Sequence, residues 1–222
     1  AHILSGHEHN LNNVCYDGIR EHNIQSIGGS WWYSNLSPNG APLGYLVVNF
    51  NGPAMAWEYN KATNESEDLQ MRVYSGNDTY GPDTPNPVDE GIKRRDKVYG
   101  WPEHLKGCFV VRIWDGTRDW DVKFVQNGVE TPMKMTESKF FDCVSAAYMT
   151  DIHGAPFGGS GVYWPAVDSF WTIPAPCGDP AKEEGWEIVA THKEPSGEVR
   201  TYRCSHLMQD YTGFATGTRY IQ

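Results

Sequence analysis

The chain has 222 residues, with 28 Asp and Glu against 18 Lys and Arg, so its formal net charge is −10 at pH 7. Proteins that bind nucleic acid need a stripe of Lys and Arg, and the basic cluster here is only the short run at residues 93–95, so nucleic acid is not an expected partner. No run approaches the roughly 20 apolar residues of a membrane span, so none is expected.

The first predicted element is a short strand around Ile3 and Leu4, which leads into Gly6-His7-Glu8-His9. Two imidazoles one residue apart at the end of a strand suit chelation of Zn, Mn or Fe, and the glycine allows close backbone approach. The pattern predicts half of a metal site, with His7 and His9 as ligands. The alternative is a surface or core pair of histidines that binds no metal.

Residues 24–32 are extended and apolar, with a Gly-Gly interruption that suggests a bulge or a close backbone contact. Trp31 and Trp32 at the end of this segment are candidate substrate-binding residues that could stack on a ligand. Adjacent strand residues point to opposite faces, so only one side of the pair can face a site. Core packing is the favoured alternative for both tryptophans.

A hairpin is predicted next. Residues 44–50 and 54–59 are apolar strand patterns on either side of Asn51-Gly52, a dipeptide typical of type I′ turns. Pro53 would then occupy the first, non-donating place of the returning strand. The polar residues 60–68 indicate a linker or a long exposed turn.

The second half of the chain also carries mostly strand signals. Residues 69–74 alternate apolar and polar side chains, whereas the proline-rich stretch 75–107 predicts irregular structure. Strands at 109–114, 120–125 and 129–135, joined by short turns, predict a three-stranded meander.

One helix is expected, over residues 137–150, with Thr136 or Ser138 as its N-cap. Residues 185–192 and 198–203 predict a second hairpin. Several hairpins at short intervals without βαβ alternation indicate a mainly β fold, an antiparallel β-sandwich.

The five cysteines are dispersed and form no Cys-x-x-Cys motif, which excludes a zinc knuckle or a thioredoxin-type redox motif. Their odd number leaves at least one free thiol. Buried structural thiols and a framework of one or two disulfides both remain open.

The N-terminal residues resemble a known family. Residues 3–10, followed by Asn13-Val14, resemble the last metal-binding motif of calcineurin-like metallophosphoesterases, in which a buried strand delivers Gly-His-x-His to a two-metal centre. Other segments look like those that follow this motif in a largely exported bacterial subgroup with a C-terminal β domain: Gly28-Gly29-Ser30-Trp31-Trp32, Gly44-Tyr45, Trp57-Glu58-Tyr59-Asn60-Lys61 and Gln70-Met71-Arg72-Val73-Tyr74.

The resemblance implies that His7 and His9 each ligate one ion of a binuclear centre of divalent Mn, Fe or Zn, where a bridging water attacks a phosphate ester. The other ligand motifs of the family do not precede Ala1. We therefore expect a C-terminal fragment of a longer phosphoesterase, inactive by itself because two histidines cannot hold two ions. Residues 1–67 would end the catalytic domain, and residues 68–222 would form the β-sandwich.

The subgroup implies a periplasmic or cell-surface location. The N-terminal strands would lack part of their sheet in this chain, so we expect them to pack on the second β domain or to pair between chains as a homo-oligomer. The alternative function is a non-catalytic β-sandwich module that binds glycan or protein through exposed tryptophans.

Overall fold

The computed structural model describes residues 1–7, 11–27, 36–37, 39–61, 70–80, 99–137, 142–147, 170–194 and 197–208. Strands dominate these ranges: β1 (His2–Ser5), β2 (Asn12–Tyr16), β3 (Ile19–Asn23), β4 (Gly44–Asn51), β5 (Ala54–Lys61), β6 (Met71–Ser75), β7 (Thr79–Tyr80), β8 (Tyr99–Gly100), β9 (Cys108–Ile113), β10 (Asp121–Gln126), β11 (Val129–Pro132), β12 (Lys134–Met135), β13 (Phe170–Pro174), β14 (Trp186–Lys193) and β15 (Val199–Cys204). Helical structure there comprises a turn at 143–147 and two 3-10 turns, Glu103–Leu105 and Pro180–Lys182. The predicted mainly β fold is confirmed.

Two four-stranded antiparallel sheets form a sandwich, in the strand orders β11-β10-β14-β15 and β12-β13-β9-β6. Aromatic rings from the two sheets meet between them. The ring of Phe109 on β9 lies 5.1 Å from that of Phe124 on β10 and 4.8 Å from that of Trp186 on β14. This contact belongs to a continuous buried apolar cluster, which is the main core.

The predicted meander is wrong. Strands β9 and β10 lie in different sheets, and the third segment divides at Met133 into β11, which pairs with β10, and β12, which pairs with β13. The reason is that β9 is buried along its whole length and packs its side chains face to face against β10. The alternation of side chains along a strand shows which of them share a face. It does not show whether the next strand pairs beside it in the same sheet or packs against it from the other sheet.

The N-terminal residues form a separate three-stranded sheet in the order β1-β3-β2, with β1 parallel and β2 antiparallel to β3. The strand expected near Ile3 is confirmed. The β2-β3 hairpin was not predicted, although its turn is an Asp17-Gly18 dipeptide with positive φ at both residues, 49° and 72°. Residues 24–27 are not strand, so the extended segment predicted over 24–32 is wrong in its described part.

The β4-β5 hairpin is confirmed with a shift of one residue in its turn. Asn51 pairs with Ala54, so the turn residues are Gly52 and Pro53. Gly52 has a φ of 57°, which glycine adopts without strain, and Pro53 has no N–H that the ladder would need. The β14-β15 hairpin is confirmed as well.

The predicted helix is confirmed at residues 143–147, and its flanks, 138–141 and 148–150, lie outside the described residues. Its cap is not Thr136, and Ser138 lies outside the described residues. Asp142 accepts a hydrogen bond from the Ser145 N–H at 2.7 Å. All five cysteines are free, and Cys108, Cys143 and Cys204 are buried, which agrees with the structural-thiol alternative.

The two faces of the N-terminal sheet differ in exposure. Its inner face carries Arg20 and His22, which are buried against the rest of the molecule. The registers place four large apolar side chains on the outer face, which are between 45% and 80% exposed: Ile3, Val14, Tyr16 and Ile19.

The described residues contain no helix of the length and apolar character that a membrane span requires.

Candidate functional site: the His7 strand and its supports

His7 lies two residues beyond the end of β1, with its side chain exposed. Its φ of 83° falls in the left-handed region, which is uncommon for a residue other than glycine. The segment leaves the sheet beside the end of β3, where the Ile24 N–H donates to the Ser5 carbonyl at 3.1 Å. The predicted ligand thus follows directly from a paired strand.

The other predicted site residues, His9, Trp31 and Trp32, lie outside the described residues. Among the residues that the structure does describe, no group of three or more His, Cys, Asp or Glu side chains is arranged to hold a metal ion. Of the predicted site residues, only His7 lies among the described ones.

A cluster of buried charges, which the sequence did not predict, joins the N-terminal sheet to the sandwich. Arg20 on β3 donates from Nη1 to Thr117 Oγ1 and from Nη2 to Asp119 Oδ2, both at 2.5 Å. Thr117 in turn donates to Asp119 Oδ1. Arg20 is 5% exposed, so its guanidinium is withdrawn from solvent and held by acceptors of the loop that follows β9.

His192 on β14 continues this cluster. Its Nε2 lies 3.1 Å from Asp119 Oδ2 and its Nδ1 lies 3.3 Å from Glu194 Oε1. Burial by itself would lower the pKa of His192, but hydrogen bonds to the two carboxylates outweigh burial and raise this pKa to about 9. His192 is therefore a cation at neutral pH, and Asp119 is shared between it and Arg20.

A second arginine, Arg200 on β15, lies on the far side of Glu194. Its Nε is 3.3 Å from Glu194 Oε1 and its Nη1 is 3.6 Å from Asp115 Oδ2. Burial raises the pKa of Asp115, and the charge of Arg200 opposes that rise. Three basic side chains, Arg20, His192 and Arg200, thus meet the carboxyl groups of Asp119, Glu194 and Asp115, and Arg20 Nη2 also lies 2.8 Å from His192 Nε2.

Trp57 on β5 occupies the centre of this cluster and is 2% exposed. The guanidinium carbons of Arg20 and Arg200 lie 5.1 and 4.9 Å from its ring centroid, within the range of cation–π contacts. His22 packs edge-on against the same ring at 4.7 Å. Burial, followed by the nearby charge of Arg20, lowers the pKa of His22 to about 4, so this histidine is neutral.

A second support lies at the other end of β3. The amide of Gln25, 5% exposed, donates from Nε2 to the Pro42 carbonyl and to the Tyr59 hydroxyl. Tyr59 donates its own hydroxyl to the same carbonyl at 2.5 Å. Arg20 and Gln25 therefore attach the two ends of one short segment to different parts of the molecule.

Sequence reasoning missed these supports because their partners are remote. Arg20 and His192 are 172 positions apart, and no local spacing connects them. The available signal was weak: Arg20 stands between Ile19 and Glu21 in a strand whose alternation places it on the inner face.

A family model for the C-terminal region of calcineurin-like phosphoesterases matches residues 21–156, which is more than half of the chain. His7 and His9 precede the matched residues, and the match extends across the predicted boundary between residues 67 and 68. Comparison with curated proteins and with solved structures gave no match. The match covers a large part of the β-rich structure to which Arg20 and Gln25 attach. The chain therefore belongs to the family of C-terminal regions of calcineurin-like phosphoesterases.

Proposed function

We propose that this chain is the C-terminal part of a metal-dependent phosphoesterase that hydrolyses phosphate esters, with His7 and His9 as metal ligands. The observation that carries the proposal is the conformation of His7. An exposed imidazole with a φ of 83° directly after a paired strand is a local strain of the kind that persists at functional positions. The family match supplies the reaction class.

The donor chemistry of the motif fits divalent Mn, Fe or Zn, because neutral imidazole is a good ligand for all three. When bound, a pair of such ions polarises the phosphoryl oxygens and lowers the pKa of a bound water. The described part of this chain has no cluster of three ligands, so we infer that further ligands come from residues outside it. We therefore expect the isolated chain to be inactive.

The roles of the remaining residues follow from this proposal. The β-sandwich would shield or extend the substrate cleft, and Trp31 and Trp32 would contact substrate or pack in the core. We further propose a periplasmic or cell-surface location, an extension of the family resemblance to the exported subgroup.

The alternative function, a glycan- or protein-binding module, requires exposed tryptophans. The six tryptophans that the structure describes are all buried, at 8% exposure or less: Trp57, Trp101, Trp114, Trp120, Trp171 and Trp186. Its remaining candidates are the three tryptophans outside the described residues. No specific observation favours this alternative over the phosphoesterase.

Two measurements test this proposal. Hydrolysis of an aryl phosphodiester is measured in a longer protein that includes an upstream catalytic segment, and the binding of Zn²⁺ and Mn²⁺ is measured in this chain. We expect His7→Ala and His9→Ala to abolish hydrolysis by the longer protein. In this chain, we expect the His7 ring resonances to shift or broaden with metal.

His104→Ala is the matched control, because His104 is also exposed but follows no metal motif. Full hydrolysis by the His7→Ala variant would overturn the proposal. Glycan binding by this chain that neither histidine substitution reduces would favour the alternative.

A further inference from the structure

We propose that Arg20 and Gln25 are positioning residues for His7, so that the rest of the chain fixes the place of the metal-ligand motif through the two ends of β3. This inference rests on the proposed role of His7 as a ligand. It adds a specific task for the residues that follow the N-terminal sheet, which is to hold the strand that carries the motif.

The N-terminal sheet is restrained from one side. Its outer face is exposed at Ile3, Val14, Tyr16 and Ile19. Its buried side chains Asn13, Arg20 and His22 lie on the inner face, and Asn23 is buried at the end of β3. The position of the sheet therefore depends on what those inner side chains contact.

The contacts of Arg20 and Gln25 with the rest of the molecule lie at the two ends of β3 and differ in kind. At the start, Arg20 contacts Thr117 and Asp119 at 2.5 Å in a network with His192. Just past the end, Gln25 bonds to Pro42 and Tyr59. A strand held at one end can pivot, whereas a strand held at both ends is fixed in position and in direction.

Strand β1 connects β3 to His7. Strand β1 runs parallel to β3 in register from His2 opposite Arg20 to Ser5 opposite Asn23. Beyond the ladder, the Ile24 N–H still bonds to the Ser5 carbonyl at 3.1 Å. His7 follows Ser5 by two residues and Gln25 directly follows Ile24, so we expect displacement of Gln25 to move the pairing that precedes His7.

The experiment measures amide hydrogen exchange, corrected for intrinsic rates, in the full chain and in Arg20→Met and Gln25→Met. We expect each substitution to lower the protection of the Ile24 N–H by about 10-fold, while amides in the β14-β15 ladder keep theirs. Arg20→Lys retains the charge but reaches fewer acceptors, so we expect it to restore part of the protection.

Arg203→Met is the matched control, because Arg203 makes an equally short contact, 2.5 Å to Glu187, but is exposed and lies within one sheet. It should leave Ile24 unchanged. Unchanged protection of Ile24 in both Arg20→Met and Gln25→Met would overturn the inference. Equal loss throughout the molecule would also overturn it, because that result describes general destabilisation.

A second measurement separates this inference from the proposed function. Zn²⁺ is titrated into each variant, and the His7 ring signal is followed, with His104 as an internal reference. We expect the Zn²⁺ concentration that moves His7 to rise several-fold in Arg20→Met and Gln25→Met. If His7 of the unsubstituted chain ignores Zn²⁺ and Mn²⁺ but the exchange pattern holds, the ligand role fails and the positioning of the strand stands.

Discussion

The sandwich and the N-terminal sheet bury different kinds of surface. The two sandwich sheets meet through apolar and aromatic side chains such as Phe109, Phe124 and Trp186. The N-terminal sheet meets the rest of the molecule through Arg20 and His22, which contact charged groups and the ring of Trp57. Apolar burial stabilises without direction, whereas charged hydrogen bonds require a defined geometry. The core therefore provides stability. The contact of the N-terminal sheet with the rest of the molecule through Arg20 and His22, here called the joint, fixes the position of that sheet.

The largest expected effect is in the core. Phe109→Ala removes a fully buried ring that touches both Phe124 and Trp186, and should lower the free energy of unfolding by about 3–5 kcal/mol. Urea unfolding measures the loss. Val129→Ala, at a residue 64% exposed, is the control and should change little. A small loss for Phe109→Ala would contradict the contrast between core and joint.

A smaller effect is expected at the joint. In a double-mutant cycle of Arg20→Met and Asp119→Asn, we expect a coupling energy of about 1–3 kcal/mol, because the two side chains share a contact of 2.5 Å that is only partly exposed. Urea unfolding of the four proteins gives this energy. Strictly additive effects of the two substitutions would show that Arg20 and Asp119 do not stabilise each other.

The joint should also respond to pH where the core does not. The folded-state pKa of His192 is raised to about 9 from an ordinary 6.5, so its contribution is fully present below about pH 6.5. That contribution is lost as pH rises through about 9. Unfolding free energies measured from pH 6 to 10 should fall along this range, and His192→Gln should flatten the fall. An equally steep fall of the unfolding free energy with pH in His192→Gln would show that another titratable group causes it.

The smallest effect on stability is expected on the outer face of the N-terminal sheet. Tyr16→Lys, at a residue 80% exposed, should change the unfolding free energy by less than about 0.5 kcal/mol. We propose that these exposed strands associate between chains, and Tyr16→Lys should weaken that association, which sedimentation velocity measures over a concentration series. Identical sedimentation of both proteins at high concentration would contradict association through this face.

Local chemistry explains which elements could be predicted. The β4-β5 and β14-β15 hairpins carry apolar runs of strand length around turn residues, and both form as expected. The turn of β4-β5 shifts by one residue because Pro53 has no N–H to donate. The β2-β3 hairpin was missed because its strands are short and polar on one face, although Asp17-Gly18 signals the turn.

The Gly-His-x-His spacing is local, so it predicts His7 and His9 as ligands, and their metal-binding role stays a prediction. The Arg20 and Gln25 supports are not local. Arg20 meets Asp119 and His192 across 99 and 172 positions, and a buried arginine is unremarkable in sequence until its acceptors are known. The pKa values of His22 and His192 diverge, to about 4 and about 9: burial, followed by the charge of Arg20, lowers the first, whereas hydrogen bonds to Asp119 and Glu194 outweigh burial and raise the second.

The amino-acid sequence by itself determined the class of this protein, its mainly β character and the hairpins that turn residues define. Only the tertiary structure decided that β9 and β10 face each other across a core, and that Arg20 is buried among carboxylates. The physical reason is that alternation and turn chemistry act over a few residues. Sheet partners and ion pairs depend on the distance between side chains that are far apart along the chain.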